Sequence, residues 1–302
     1  MKLAAIDIGS NAIRLLIAKP NIQQQVGDIV IDEPFKKLEF IRFPLRLGQD
    51  VFERGRIGRT LEDKFMKAMQ TFQNLLDLYE VDHYLAYATS AMREAENGEQ
   101  IVKRVYFNYG LHIDIINGDE EAEAISSSVQ GYLNGKNYLH IDVGGGSTEL
   151  NVYVKKKKIA ARSFKLGSVR GLNASPTQEA YEKIHTWLLK NLEEIEGMPL
   201  IGVGTGGNIN KIFDMATQKE GLKIDYQEVL RIRNIIASYS LEDRMNILQL
   251  NADRADVIIP AADIYLYILQ KANIQTMIVP KVGLREGMIL KLMEDLKKRK
   301  LL

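Results

Sequence analysis

Apolar residues recur along this chain with two periods. Short apolar or alternating runs bounded by Gly, Asn and Asp predict strands over 84–88, 112–116, 137–143, 150–154, 159–164, 200–203 and 277–279. Spacings of three and four predict helices. Phe65, Met69, Phe72 and Leu76 follow Thr60 and Asp63 in a run that reaches Tyr79. Ser175-Pro176-Thr177-Gln178 combines an N-cap, a proline at N1 and a capping-box glutamine ahead of a helix over 181–195. Ser240 with Asp243 caps another helix, and an amphipathic helix from Arg285 ends in Lys297-Lys298-Arg299-Lys300, where positive charge suits a helix C-terminus. Strands alternating with helices predict an α/β fold.

One short plan occurs twice. Ala5-Ile6-Asp7-Ile8-Gly9-Ser10-Asn11-Ala12-Ile13-Arg14-Leu15 lies over His140-Ile141-Asp142-Val143-Gly144-Gly145-Gly146-Ser147-Thr148-Glu149-Leu150, an offset of 135 residues (142 minus 7). In both copies a strand ends in Asp-x-Gly, a turn of small residues follows, and a second apolar strand leaves. The economical reading is two halves of a duplicated plan. No Pro/Gly/Ser-rich linker separates them, so close packing is expected. Lys155-Lys156-Lys157-Lys158, between two strand patterns, reads as a solvated hairpin tip.

Composition narrows the function classes. Forty Lys+Arg against 39 Asp+Glu leave a formal charge of +1, so no global field recruits nucleic acid or a membrane surface, and neither is expected as a partner. With no cysteine there is no disulfide, thiolate nucleophile or zinc-thiolate site, and the four dispersed histidines form no His-x-x-x-His ligand pair. Asp7 and Arg14 interrupt the apolar start before a signal-peptide core can form, and the apolar stretch 257–269 is shorter than the roughly 20 residues of a bilayer span. A soluble, cytoplasmic protein is expected.

Candidate chemistry gathers at glycine turns. Each Asp-x-Gly places a carboxylate beside unobstructed backbone amides, a combination suited to a hydrated divalent cation and phosphate oxygens; a tight hairpin needing glycine for positive φ is the plainer alternative. Gly204-Thr205-Gly206-Gly207-Asn208 follows a strand and opens a helix, a geometry that offers N–H groups to an anion. It lacks a Walker A ending and the dinucleotide spacing. Asp119, Glu120, Glu121 and Glu123 cluster after a strand; most are expected to complement a helix dipole, and one to serve as a general base, which helix periodicity alone does not select. Arg93, just past a strand end, is a candidate phosphate clamp, with an ordinary surface arginine as the alternative.

These motifs, in order, resemble a known family. Ile6-Asp7-Ile8-Gly9-Ser10-Asn11, Ala88-Thr89-Ser90-Ala91-Met92-Arg93, Gly118-Asp119-Glu120-Glu121-Ala122, Asp142-Val143-Gly144-Gly145-Gly146-Ser147-Thr148-Glu149-Leu150, Gly204-Thr205-Gly206-Gly207 and Gly283-Leu284-Arg285-Glu286-Gly287 are similar to those of the exopolyphosphatase and guanosine pentaphosphate phosphatase family, in its short form without the added C-terminal helical domain. The resemblance implies two duplicated ribonuclease-H-like domains of the actin-like ATPase superfamily with an interdomain cleft, over 1–120 and 121–284, the helix 285–302 packing back on the first. It implies Glu121 as catalytic base, Asp7, Asp142 and Glu149 as residues that hold or organise magnesium, for which manganese can substitute, and Asp142 and Glu149 as catalytic. Ser10, Asn11, Arg93, Gly144, Gly145, Gly146, Ser147, Thr148, Gly206, Gly207 and Asn208 fall at phosphate-binding positions. Asn208 stands where the family has threonine, so altered phosphate binding is expected. Arg14, Arg46 and Arg285 are expected to guide an anionic chain, and a homodimer is implied.

The expected activity is magnesium-dependent release of orthophosphate from inorganic polyphosphate. Guanosine pentaphosphate is the alternative substrate, since it ends in the same anhydride. A kinase of the same superfamily would require an adenosine pocket and an acceptor site, and a non-catalytic nucleotide-binding scaffold could dispense with Glu121.

Overall fold

The computed structural model describes residues 1–21, 25–26, 29–30, 33–172, 178–195 and 197–302. The chain divides into one unit of Met1–Ser128 with Leu284–Leu302 and a second of Val129–Gly283. The helix-start signal Ser175-Pro176-Thr177 lies outside the described residues.

Unit 1 is built on β1 (Leu3–Ile8), β2 (Ile13–Pro20), β3 (Phe35–Phe43), β4 (His83–Ala88) and β5 (Asp114–Ile115), in the order β3-β2-β1-β4-β5. The β1–β2 and β2–β3 pairs are antiparallel, whereas β4 joins β1 in parallel and β5 joins β4 likewise. Alternation gives the sheet two apolar faces. Ala4, Ile6, Ile8, Leu15 and Ile17 share a core with Phe65, Met69, Phe72 and Leu76 of α1 (Arg59–Leu78), the residues whose spacing predicted that helix. Leu3, Ala5, Leu16 and Ala18 pack with Ile125 and with Met288, Ile289 and Leu292 of the C-terminal helix (Leu284–Lys298). Helices α2 (Ser90–Glu94), α3 (Gly98–Tyr109) and α4 (Gly118–Val129) follow the parallel strands.

Unit 2 repeats the plan with β6 (Asn137–Val143), β7 (Thr148–Val154), β8 (Lys157–Phe164), β9 (Leu200–Thr205) and β10 (Thr276–Ile278), ordered β8-β7-β6-β9-β10. A short hairpin, Lys219–Glu220 with Lys223–Asp225, extends the β10 edge. Taken in chain order, both five-stranded sets run third, second, first, fourth, fifth, the ribonuclease-H-like arrangement. The apolar stretch near 257–269 forms α7 (Ile258–Lys271), which shares the unit 2 core with α5 (Gln178–Leu192) and α6 (Gly207–Met215). Among the described residues no helix is long and apolar enough to cross a membrane. Lys155 and Lys156 turn the β7–β8 hairpin at φ 49° and 70°, as the lysine run suggested.

The duplication is visible in the registers. Asp7 opposes Arg14 and Ile8 opposes Ile13; Asp142 opposes Glu149 and Val143 opposes Thr148. Both four-residue turns close with the same backbone bond, Gly9 N–H to Ala12 O at 3.2 Å and Gly144 N–H to Ser147 O at 3.0 Å. Gly9 and Gly144, the first residues of the two turns, do not adopt positive φ.

Candidate functional site

Unit 1 collects polar groups beyond the C-terminal ends of β1 and β4. Asp7 is buried, and Arg14 donates from Nη1 to its Oδ2 at 2.8 Å. One of the two Asp7 carboxylate oxygens is thereby engaged by Arg14. In the turn, Ser10 Oγ shares a 2.7 Å hydrogen bond with Ser90 Oγ, while the carbonyls of Ser10 and Asn11 accept from the N–H groups of Gly48 and Arg46 at 2.8 and 2.9 Å. Arg93, on α2, donates to Ile116 O at 2.5 Å and lies 3.9 Å from Glu121 Oε2.

Burial sorts the acidic cluster that periodicity left unresolved. Asn117 caps α4: its Oδ1 accepts from the N–H groups of Asp119 and Glu120 at 2.9 and 3.0 Å, and Glu120 Oε2 accepts from Asn117 N–H at 2.8 Å. That is a capping box, and it engages Glu120 structurally. Asp119, Glu120 and Glu123 are exposed, but Glu121 is only 8% exposed and stands beside Arg93.

In unit 2 the β6–β7 turn is crossed by a segment the sequence reading passed over, 166–170. The N–H of Ser168 donates to Gly144 O at 3.0 Å, those of Val169 and Arg170 to Gly145 O at 2.8 and 3.0 Å, and Arg170 Nε to Gly146 O at 2.8 Å. The crossing is so close that a Cβ on Gly167 would sit 2.5 Å from Gly145 O. Thr148 Oγ1 donates to Leu166 O at 2.6 Å and is wholly buried, so the hydroxyl anchors the crossing segment. Asn208, at the start of α6, donates to Ser168 Oγ at 3.4 Å. Beside it Gly206 has φ 111°, and Arg254 Nη2 is 3.2 Å from where a Cβ on Gly207 would stand. Arg170 and Arg254 thus join Gly144, Gly145, Gly146, Ser147, Gly206 and Gly207 around the glycine turns of this unit. An arginine two places after the Gly167-Ser168 pair was the available signal for one; nothing in the spacing marked the other.

Asp142 and Glu149 face each other across β6 and β7, Glu149 only 1% exposed. Ser163 Oγ donates to Glu149 Oε1 at 2.8 Å and Thr205 Oγ1 to Asp142 Oδ1 at 2.6 Å. Carboxylates directly opposite in a sheet repel, and an oxygen-seeking divalent cation relieves that repulsion. No group of three or more His, Asp or Glu is assembled among the described residues. The donor set fits magnesium, which typically takes one or two carboxylates and completes its shell with water and phosphate. Behind Asp142, Tyr265 on α7 donates to Thr205 O and accepts from Val143 N–H at 3.2 Å, joining β9 to β6; burial, then the Asp142 charge, push its hydroxyl pKa well up. His140 is completely buried, which pushes its imidazole pKa down to about 3.

Of the basic residues suggested as guides, Arg14 is paired with Asp7, and Arg285 stacks 4.6 Å over the Phe40 ring and lies 3.6 Å from Glu286.

The model of the Ppx/GppA phosphatase family matches residues 29–296. The chain belongs to the Ppx/GppA phosphatase family. It is 27% identical over 273 residues to a bifunctional 3-dehydroquinate synthase/phosphatase of Fusobacterium nucleatum, covering 84% of this chain and 39% of that one. It is 24% identical to exopolyphosphatase 1 of Mycobacterium tuberculosis, covering 98% and 89%, and 24% identical to a guanosine-5'-triphosphate,3'-diphosphate pyrophosphatase of Vibrio vulnificus, covering 97% and 60%. The chain therefore spans less than two thirds of the length of the first and last of these relatives. A solved Ppx/GppA structure from Aquifex aeolicus superposes with a TM-score of 0.72 at 26% identity, covering 99% of this chain and 98% of that one. The fold is the two-domain actin-like ATPase fold of that family.

Proposed function

We propose that this phosphatase removes terminal phosphoryl groups from inorganic polyphosphate as orthophosphate. The observation that carries the reading is the burial of Glu121 beside Arg93, alone among the four carboxylates of its cluster. Family membership and the similarity to a mycobacterial exopolyphosphatase over nearly its whole length support it.

Phosphoryl transfer asks the protein chiefly to position a nucleophile and neutralise charge. Glu121 takes the proton of a water molecule as its oxygen bonds to the terminal phosphorus; the bridging P–O bond breaks, and the shortened chain keeps the leaving oxygen. Backbone N–H groups at Gly145, Gly146 and Gly207, with Arg93, Arg170 and Arg254, hold phosphoryl oxygens. Ser10, Asn11, Ser147 and Asn208 contribute polar contacts to the phosphates. Asp142 and Glu149 are the residues that would hold magnesium, which when bound offsets negative charge on the phosphates.

Guanosine pentaphosphate is the second reading, favoured by the similarity to the Vibrio enzyme. Orthophosphate release is measured with polyphosphates of several lengths, guanosine pentaphosphate and ATP. Turnover of polyphosphate without nucleotide is expected, and Glu121→Gln should lower kcat at least about a hundredfold while the protein stays folded. Wild-type turnover in that variant would remove Glu121 from the mechanism, and tight polyphosphate binding with no turnover would favour a non-catalytic scaffold.

A further inference from the structure

One face of the unit 2 sheet changes character along its strands. Tyr138, Tyr153 and Ile201 cover one end; His140, its cross-strand partner Asn151 and Val203 come next; Asp142, Glu149 and Thr205 stand at the other end. The middle pair joins the last group through a continuous hydrogen-bond chain. Asn151 Nδ2 and His140 Nδ1 are 3.0 Å apart, His140 Nε2 and Thr205 Oγ1 2.9 Å, and Thr205 Oγ1 and Asp142 Oδ1 2.6 Å.

Donor chemistry gives this chain one direction. The Asn151 amide nitrogen only donates, so His140 Nδ1 accepts. The ring proton of a neutral His140 then sits on Nε2 and is donated to Thr205 Oγ1. That hydroxyl, with a lone pair filled by His140, directs its single proton to the Asp142 carboxylate, which accepts. We infer that Asn151 and His140 are positioning residues that lock the Thr205 hydroxyl as a donor to Asp142, and so fix the orientation of the carboxylate proposed to meet the divalent cation.

The duplicated half shows that the fold itself does not require these groups. At the offset of 135, His140 corresponds to Ala5 and Asn151 to Leu16, and the residue paired with Asp7 on the parallel strand is Tyr87, as Thr205 is with Asp142. Ala5, Leu16 and Tyr87 form part of an apolar core. A sheet of the same order closes with hydrocarbon at those places, whereas unit 2 buries an imidazole and an amide, which carry a desolvation cost that hydrocarbon does not. Partners behind a ligating carboxylate orient it, and losing one costs about 10- to 100-fold in metal affinity.

The inference rests on Asp142 as a cation-binding residue, and the test separates the two. Mn²⁺ binding to the full chain is followed by the electron paramagnetic resonance of the free ion, for wild type, Asp142→Asn, His140→Leu and His140→Gln. Asp142→Asn and His140→Leu are expected to weaken binding at least tenfold. His140→Gln, whose amide can still donate to Thr205, is expected within about threefold of wild type. Binding indifferent to Asp142→Asn overturns the reading of Asp142 and this inference together. Binding sensitive to Asp142→Asn but equal in wild type and His140→Leu, or equally weak in the Leu and Gln variants, overturns the inference alone. Should the His140 variants fail to fold, Thr205→Val against Thr205→Ser poses the same question: the serine variant should bind and the valine variant should not, and equal binding overturns the chain. Long-range ¹H–¹⁵N spectra of the unmodified protein give an independent reading. They should show the Nε2–H tautomer at His140, and an Nδ1–H tautomer overturns the direction assigned here.

Discussion

Gly287 is the point at which a single methyl group should reach the proposed base. A Cβ there would lie 1.7 Å from the Ala124 carbonyl oxygen, against the 3.0 Å below which such contacts are essentially never seen. The C-terminal helix and α4 must then part by about 1.3 Å, the difference between those distances. The obstacle is a backbone carbonyl, so no rotamer change relieves it. Overpacking against a carbonyl that cannot turn aside falls in the upper part of the usual range, about 2–3 kcal/mol, and the better helix propensity of alanine returns at most about 1 kcal/mol, which leaves about 1–2 kcal/mol of strain. At about 2–4 °C per kcal/mol for a domain of this size, Gly287→Ala should lower Tm by roughly 2–8 °C. Glu121 lies one helical turn before Ala124, so the displacement passes to the carboxylate. A misplacement of about 1 Å costs a catalyst up to about a hundredfold, so kcat should fall about ten- to a hundredfold with KM little changed. Calorimetry and an orthophosphate-release assay measure both effects. Gly283→Ala is the control, because no atom lies within 4 Å of its Cβ position. A Gly287→Ala protein as stable and as active as wild type would show that the helices have room and that α4 does not transmit the shift.

Three further outcomes are expected. Glu149→Gln should raise the divalent-cation concentration for half-maximal activity at least about tenfold, by removing the carboxylate opposite Asp142; an unchanged cation titration would argue against ligation there. Arg254→Ala should raise KM for polyphosphate about tenfold or more with kcat held within a few-fold, since the guanidinium adjoins the Gly207 turn but no reacting bond; a fall confined to kcat would contradict that role. Glu228 bears on stability alone. Arg231, then the Gln218 and Thr217 N–H groups, hold its carboxyl down at about 2 against an ordinary 4.5. A depressed folded pKa stabilises above the unfolded value and loses that contribution as pH falls toward the folded one, here between about 4.5 and 2. Urea midpoints for Glu228→Gln should therefore lie below wild type at pH 6 and converge on it near pH 2, and a constant gap would exclude this linkage.

Patterns that depend on neighbouring residues were legible without coordinates. Phe65, Met69, Phe72 and Leu76 declare α1 because one face of a helix is a local property, and Ser240 accepts from Asp243 N–H as its spacing implied. Strand 112–116 shortened to Asp114–Ile115, because pairing depends on the neighbour and only those residues find β4. The edge strand Phe35–Phe43 escaped notice, since an exposed edge need not alternate cleanly. Among the acids, Glu120 and Glu121 are adjacent and chemically equivalent in sequence; only the Asn117 cap and the helix's rotation distinguish them. Thr148 Oγ1 finds its acceptor, Leu166 O, 18 residues away, a pairing that no local pattern announces. Contacts made by the crossing of distant segments, such as 166–170 over the glycine turn, leave no periodic trace.

The duplicated hairpin makes the division of labour a matter of two positions. Both copies offer an aspartate at the end of the first strand, and in each the residue directly opposite determines what that aspartate can do. In unit 1 it is Arg14, so the pair is neutral and already hydrogen-bonded. In unit 2 it is Glu149, so two carboxyl groups share one register position. A divalent cation gains more between two carboxyl groups held together by the backbone than beside a carboxylate already paired with an arginine. Of the three residues that motif resemblance offered as metal-organising, Asp142 and Glu149 therefore have the stronger physical claim. Asp7, paired with Arg14 beside the Ser10 turn, orients that arginine. The inference for His140 and Asn151 has the same logic: residues at matching places in the apolar copy are Ala5 and Leu16, so polarity was placed only behind the aspartate that faces another acid.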